Sequence, residues 1–331
     1  MHIQTNNIPW EVIVNPNAGK QKGRKDWEKI SALLRENEIF FQSVFTEGPG
    51  HAIELTCEAI GRGSRHFIVV GGDGTMNEVV NGIFGKHHIP TQDFVLGMIS
   101  VGTGNDWGRM FCVPSEYADA VKTIRQGKTF YQDAGLVRYY QDTQEKSRYF
   151  LNIAGMGFDA VVVRKCNRQK QNGKSGVMLY FKNLLTSLAS YSHTHTRIRI
   201  DDAVLIDDVF TISIGIGKFT GGGMMQTPHA LADDGFFDLT VVRRMKKMEI
   251  VRSLKKLYDG TILEHPKVSG FRGKKIHIDS EPPIHLEVDG ESLGHSPIEI
   301  EILHRRIQVI TGKKFVSAPV TAKVPAGFQT S

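Results

Sequence analysis

The segment Gly71-Gly72-Asp73-Gly74-Thr75 stands between an apolar run at 66–70 and a helical pattern in which Met76, Val79, Val80 and Ile83 share one face. A strand that ends in glycines and passes straight into a helix constrains this chain more than any other feature. Glycines there let the backbone approach a polyphosphate closely, and a helix N-terminus offers unpaired N–H groups and the positive end of its dipole. A carboxylate among them opposes phosphate unless a cation intervenes, so Asp73 suits Mg2+, directly or through water. The other reading is a tight strand-to-helix turn with Asp73 as the helix N-cap.

Two further loops have the same setting. Asn15-Pro16-Asn17-Ala18-Gly19-Lys20 follows an apolar run at 10–14, and its N–H groups could form an anion nest, although this is also ordinary turn chemistry. Gly102-Thr103-Gly104-Asn105-Asp106 follows a run at 94–99. Thr103 and Asn105 can hydrogen-bond phosphate or ribose, and Asp106 adds a second carboxylate for the metal; a capped turn is the alternative. With strands also at 40–45 and helices at 25–37 and 51–60, strand and helix alternate through the first ~135 residues, as in a parallel sheet covered on both faces. Phosphate-binding loops in such sheets lie at the carboxyl ends of strands.

The pattern changes near residue 136. Short runs at 149–154, 196–200, 209–216, 237–242, 275–279, 284–288 and 307–310 read as strands, with helical patterns at 177–191 and 247–258. This density of strands predicts an antiparallel sandwich or barrel-like second domain. The tail beyond Lys314 is small and polar enough to fray.

With 331 residues, two domains are expected, and 40% hydrophobic with 23% charged residues excludes a fibrous or disordered class. Three scattered cysteines, Cys57, Cys112 and Cys166, suit a reducing compartment and offer no zinc spacing. The first residues lack a basic segment followed by an apolar core, and no apolar run reaches ~20 residues, so a cytoplasmic protein is expected. The formal charge of +6 is uneven: residues 160–260 hold 16 Lys and Arg against nine Asp and Glu. Runs such as Arg243-Arg244-Met245-Lys246-Lys247 could attract anionic headgroups or be a solvated face. No nucleic-acid-binding motif accompanies the charge. Gly173-Lys174-Ser175 imitates the end of a Walker A loop, but Arg168 stands where that motif needs glycine. His193 and His195 have metal-like spacing, yet read as ordinary strand histidines.

Together, NPNAG at 15–19, GGDGTMNEV at 71–79 and GTGNDWGR at 102–109 resemble the soluble lipid kinase family of bacterial diacylglycerol kinases, sphingosine kinases and eukaryotic diacylglycerol kinase catalytic regions. The resemblance continues through NIAGMGFD at 152–159, GGGM at 221–224, PHALADDGFFD at 228–238 and EVDGE at 287–291. Ser100 and Trp107 depart from the family's usual Pro and Phe. GGDGT alone is shared with phosphofructokinases and NAD kinases; the ordered set points to a lipid.

The resemblance implies an α/β protein. Its N-terminal Rossmann-like, phosphofructokinase-like parallel-sheet domain would cover 8–135, completed by the last strands at 305–320. A mainly antiparallel β-sandwich lipid-substrate domain would cover 136–304. It implies ATP held by Asn15, Pro16, Asn17, Ala18, Gly19, Thr46, Gly72, Asp73, Gly74, Thr75, Met76, Asn77, Glu78 and Thr103, to which the loop chemistry adds Asn105 and Asp106. It also implies a structural Mg2+ on Asp234 and the carbonyls of Leu231 and Phe236; a metal-free Asp-Gly turn is the plainer reading. Asp289-Gly290-Glu291 occupies the general-base segment, with Glu291 favoured over Asp289 as proton acceptor and Asp73 also in the catalytic set. Without the family, these three residues are a hairpin turn. The expected activity is phosphorylation of a membrane lipid hydroxyl, diacylglycerol first, in a cleft between domains. Expected partners are the lipid and transient membrane contact but no nucleic acid, with a homodimer left open. Other lipids (a sphingoid base, phosphatidylglycerol), a soluble acceptor such as NAD, and a non-catalytic nucleotide-binding membrane regulator are the alternatives.

Overall fold

The computed structural model describes residues 9–85, 88–171 and 177–317. The Walker-like Gly173-Lys174-Ser175, the first eight residues and the tail from 318, including the end of the expected 305–320 segment, lie outside the described residues. By its contacts the chain divides into two units, one running to Asp133 and resuming over Arg305–Val316, the other spanning Ala134–His304.

The first unit contains β1 (Trp10–Val14), α1 (Ala18–Lys25), α2 (Trp27–Glu36), β2 (Phe41–Phe45), α3 (His51–Gly61), β3 (His66–Gly71), α4 (Asp73–Phe84), β4 (Val95–Ser100), α5 (Asp106–Met110), α6 (Tyr117–Gln126) and the start of β5 (Thr129–Gln141). β2, β1, β3 and β4 pair in that order, all parallel, and Gln308 and Val309 of the last strand add parallel to β4. Side chains alternate across the sheet. Val12, Val14, Ile68 and Val70 pack one face against Ile30 and Leu34 of α2 and Val121 and Ile124 of α6. Ile13, Phe67 and Val69 on the opposite face are equally buried, so both faces are covered.

The register brings the strand ends level. Val14 pairs with Phe45 and with Val70, and Val70 with Ile99. Four strands therefore end in one row, and the loops after them leave the sheet side by side.

The second unit holds the end of β5, β6 (Gln144–Phe150), β7 (Ile153–Gly157), α7 (Phe158–Gln171), α8 (Val177–Ser190), β8 (Thr194–Ile200), β9 (Ala203–Gly215), β10 (Phe219–Thr220), β11 (Met224–Met225), β12 (Phe237–Arg243), α9 (Lys247–Asp259), β13 (Val268–Gly273), β14 (Lys275–Glu281), β15 (His285–Val288) and most of β16 (Glu291–Ile310). β9 pairs with β7, β7 with β15, β15 with β16, β16 with β14, β14 with β8, and β8 with β9. Every pairing is antiparallel and the circuit closes, so this is a barrel-like ring rather than two separate stacked sheets. It closes because β9 and β16 are long enough to change partners along their length. β9 gives its first half to β8 and its second half to β7 and β12. A smaller core lies where α7, α8 and α9 contribute Phe158, Val162, Leu184 and Ile250 around Phe210 and Met245. Among the described residues, no helix is long and apolar enough to cross a membrane.

The run read as one strand at 149–154 breaks at Leu151 and Asn152. The N–H groups of Leu151, Asn152 and Ile153 turn instead to the carboxylate of Asp289, which accepts all three at 3.0–3.1 Å.

Candidate active site

Three loops leave the row of strand ends, and their contacts are specific. After β1, Asn15 donates Nδ2–H to Thr75 Oγ1 at 3.0 Å, tying the first loop to the start of α4, while its Oδ1 accepts from the Asn17 N–H. The chain then turns through three left-handed residues, Gly19, Lys20 and Gln21. A Cβ on Gly19 would sit 1.7 Å from the Val101 carbonyl oxygen, so the first loop rests on the third through bare backbone. Gly102 and Gly72 meet the same way: a Cβ on Gly102 would lie 2.8 Å from the Gly72 Cα.

Asp73 completes the union. It is the first residue of α4, whose N-cap Gly72 provides no side-chain cap. Its carboxylate reaches across to the third loop and accepts from the N–H of Asp106 at 3.1 Å and of Trp107 at 3.0 Å. Asp73 thus caps α5 rather than its own helix. Burial holds this carboxyl above the usual carboxylate range, opposed by the backbone N–H bonds. Asp73 Oδ2 and Asp106 Oδ2 lie 3.2 and 3.3 Å from the place where a Gly104 Cβ would stand. Both are hard oxygen donors of the kind Mg2+ takes, and they approach each other beside Gly104. No set of three His, Cys, Asp or Glu side chains among the described residues is arranged to hold a metal, so phosphate and water oxygens would have to complete its shell.

The remaining expected nucleotide contacts divide. Asn17 and Thr103 are exposed, and Ala18, Gly74 and Asn105 are half-buried at the loops. Asn105 Oδ1 is buried without a partner, poised to accept a hydrogen bond. Thr46 is buried at the end of β2, its N–H on the Val14 carbonyl. Thr75 is buried beneath Gly71, and Pro16 is buried as well. Three side chains are corrected. Met76 is in the core, Asn77 is buried with Asn81 bonded to it, and Glu78 accepts from Gly50 N–H at 2.8 Å and Ala52 N–H at 3.1 Å, capping α3. Met76 and Asn77 turn into the fold, and Glu78 turns to the start of α3.

In the second unit, Asp289 is fully engaged by the three N–H groups above, so its carboxylate holds the loop between β6 and β7. Glu291, two residues on, is half-buried and takes a 3.5 Å contact from Asn167 Nδ2. The sequence reading missed Glu287. It is buried opposite Gly155, where the absent Cβ leaves room for its carboxyl, and its Oε2 accepts the Gly290 N–H at 2.9 Å. Burial and the neighbouring Asp159 push its pKa well up.

Also missed was a partly open cavity of about 60 Å3. Its walls are apolar, with Phe158, Leu184, Phe210, Met245, Leu254 and Leu257 prominent; Asp159, Thr211, Ser213 and Gln226 are polar groups in the lining. Asp159 Oδ2 accepts from Thr211 Oγ1 at 3.0 Å and Gln226 Nε2 at 2.9 Å, and burial pushes its carboxyl up to about 6. Such a cavity takes an apolar body carrying a polar end. The available signal was Asp159 within the motif at 152–159. His193, just before β8, accepts from Met245 N–H, and His195 within β8 pairs with Asp208.

Two family models partition the sequence in the same order. "Diacylglycerol kinase catalytic domain" matches residues 9–137, and "YegS C-terminal NAD kinase beta sandwich-like domain" matches 152–311. The two parts of this chain thus match, in order, the two domain types that diacylglycerol kinase-like proteins carry. Similar proteins include diacylglycerol kinases of Staphylococcus carnosus, 28% identical over 91% of this chain and 94% of the relative, and of Staphylococcus saprophyticus, 29% identical over the same shares. A Bacillus anthracis structure solved as a candidate diacylglycerol kinase superposes with a TM-score of 0.74 at 25% identity, covering 94% of this chain and 99% of that one. Yeast NADH kinase, at 13% identity and a TM-score of 0.51 over 92% and 83% of the two chains, shares the fold alone. The protein is accordingly a kinase-type enzyme that phosphorylates a hydroxyl and uses ATP.

Asp234, expected to hold a structural Mg2+ with the Leu231 and Phe236 carbonyls, is held here by protein partners. Asp234, beside Leu231 and Phe236, is ion-paired with Arg272, and its other oxygen accepts the Phe236 N–H at 3.0 Å. Arg272 Nε also lies 3.3 Å from Asp238, and its guanidinium stands 4.9 Å over the Phe236 ring. Arg272→Ala should cost about 3–5 kcal/mol by stranding Asp234. A chelator should leave the wild-type melting temperature unchanged; a fall comparable to that of the variant would restore the metal.

Asp159 gives a pH prediction. Its folded pKa of about 6 lies above the ordinary 3.8, so the folded state binds more protons between these values and stability falls as pH rises through 6. The loss amounts to about 3 kcal/mol at neutral pH. Asp159→Asn should therefore gain stability relative to wild type as pH rises from about 4 through 6, and keep that gain above it, in paired thermal melts. A difference independent of pH would contradict this.

Proposed function

We propose that the enzyme transfers the γ-phosphoryl group of ATP to the hydroxyl of a membrane lipid, with diacylglycerol as acceptor and phosphatidic acid as product, at the cytoplasmic membrane surface. The observation that carries the lipid is the apolar cavity of the second unit with Asp159 in its lining, together with relatives named diacylglycerol kinases.

In this reading the parallel unit serves as a Rossmann-like, phosphofructokinase-like nucleotide domain. The first N–H groups of α4, free of intrahelical partners, meet the phosphates between the first and third loops. Thr103 and Asn105 offer hydrogen bonds to the nucleotide. Asp73 and Asp106 would hold the Mg2+ that accompanies ATP, which supplies charge neutralisation on the β- and γ-phosphates. The acceptor oxygen bonds to the γ-phosphorus as the bond to the β-phosphate oxygen breaks, and ADP leaves. The hydroxyl proton passes to Glu291. Asp289, committed to three N–H groups, positions the turn that carries Glu291, and Glu287 fixes the same turn through Gly290.

The test offers Mg-ATP and mixed micelles with diacylglycerol, a sphingoid base or phosphatidylglycerol, and NAD in solution, with products identified by mass spectrometry. Phosphatidic acid should form, and Glu291→Gln should slow its formation about 10²–10⁴-fold. Phosphate appearing only on NAD would overturn the lipid reading. Full activity in the Glu291 variant would overturn its role.

A further inference from the structure

Helix α9 has an unusual division of its apolar side chains. Ile250, Leu254 and Leu257 face inward as a wall of the cavity. Met248 (64% exposed), Val251 and Tyr258 (48%) face solvent, where the fold gives them nothing to cover. Helix α8 repeats the arrangement: Leu184 lines the cavity while Met178 is 83% exposed and Leu185 is exposed too. Cations surround the outward face of α9. Residues 243–258 carry seven Lys and Arg against one Glu, a surplus equal to the +6 of the whole protein. Arg243, Arg244 and Lys256 are ion-paired with Asp207, Asp208 and Glu264. Lys246, Lys247, Arg252 and Lys255 are exposed and carry the surplus beside the apolar residues.

We infer that the outward face of α9 docks on an anionic lipid bilayer, with Met248, Val251 and Tyr258 entering the headgroup layer and Lys246, Arg252 and Lys255 meeting its negative charge. Mixed apolar and basic residues along one helix face suit that boundary, where buried apolar area and electrostatic attraction add. The helix that contacts the bilayer is then also a wall of the cavity that receives the lipid. The inference rests on the lipid-kinase reading for its purpose but not for its evidence.

Sedimentation of the full protein with phosphatidylcholine vesicles, with and without phosphatidylglycerol, tests it in the absence of ATP and diacylglycerol. Binding should require phosphatidylglycerol and weaken with salt. Lys246→Glu with Arg252→Glu and Lys255→Glu should lower it on the order of 100-fold, and Met248→Ser with Val251→Ser should lower it as well. Both variants should phosphorylate a short-chain diacylglycerol, dispersed below its aggregation limit, as wild type does. Equal binding to both vesicle types, or wild-type binding by the charge-reversed protein, overturns the dock. So does loss of a concentration-dependent dimer in the Met248/Val251 variant with vesicle binding intact, which would assign the face to a second copy. Absence of lipid phosphorylation with this binding pattern intact overturns the proposed reaction and leaves the dock standing.

Discussion

One carboxylate organises the loops at the strand ends of the first unit. Asp73 accepts the N–H groups of Asp106 and Trp107 and so joins the loop after β3 to the loop after β4. Enclosing a carboxylate is unfavourable, and here it raises the pKa, but backbone N–H bonds to an ionised acceptor are among the stronger hydrogen bonds and offset part of that cost. The arrangement requires the loops to touch. They can do so because Gly19, Gly72 and Gly102 present backbone where any side chain would collide. Trp107 completes the anchor, its indole N–H on Gln132 and its ring against Phe111.

The second unit solves a similar problem with the same chemistry. Asp289 draws three consecutive N–H groups from the chain more than 130 residues earlier, and the left-handed turn through Asp289 and Gly290 holds Glu291 just beyond it. Glu287 adds a second tie through the Gly290 N–H. Arg272 between Asp234 and Asp238 secures a turn whose relatives are expected to use a metal. In each case an ionisable side chain fixes backbone geometry.

Much of this was legible where local chemistry decides structure. The ends of β1, β3 and β4 follow from apolar runs stopped by Asn-Pro or glycine pairs, and the spacing of Met76, Val79, Val80 and Ile83 does mark the buried face of α4. Legibility failed where distant partners decide. β6 is largely exposed and polar, so no alternation betrays it, and α7, with three consecutive β-branched valines, carries no clear helical pattern of its own. Glu78 looked like a ligand because nothing local shows that it caps α3, 26 to 28 positions earlier. The cavity could not be read at all, since its walls come from strands and helices spread between Phe158 and Ile262.

The central claim is that three loops, joined through Asn15, Gly19 and Asp73, form the site of the phosphoryl donor. Hydrogen exchange of the full protein with and without Mg-ATP tests it most directly. Exchange should slow at residues 15–19, 71–77 and 102–107 and stay unchanged through the barrel strands of the second unit. Protection confined to the second unit, with these three loops exchanging as before, would contradict the account.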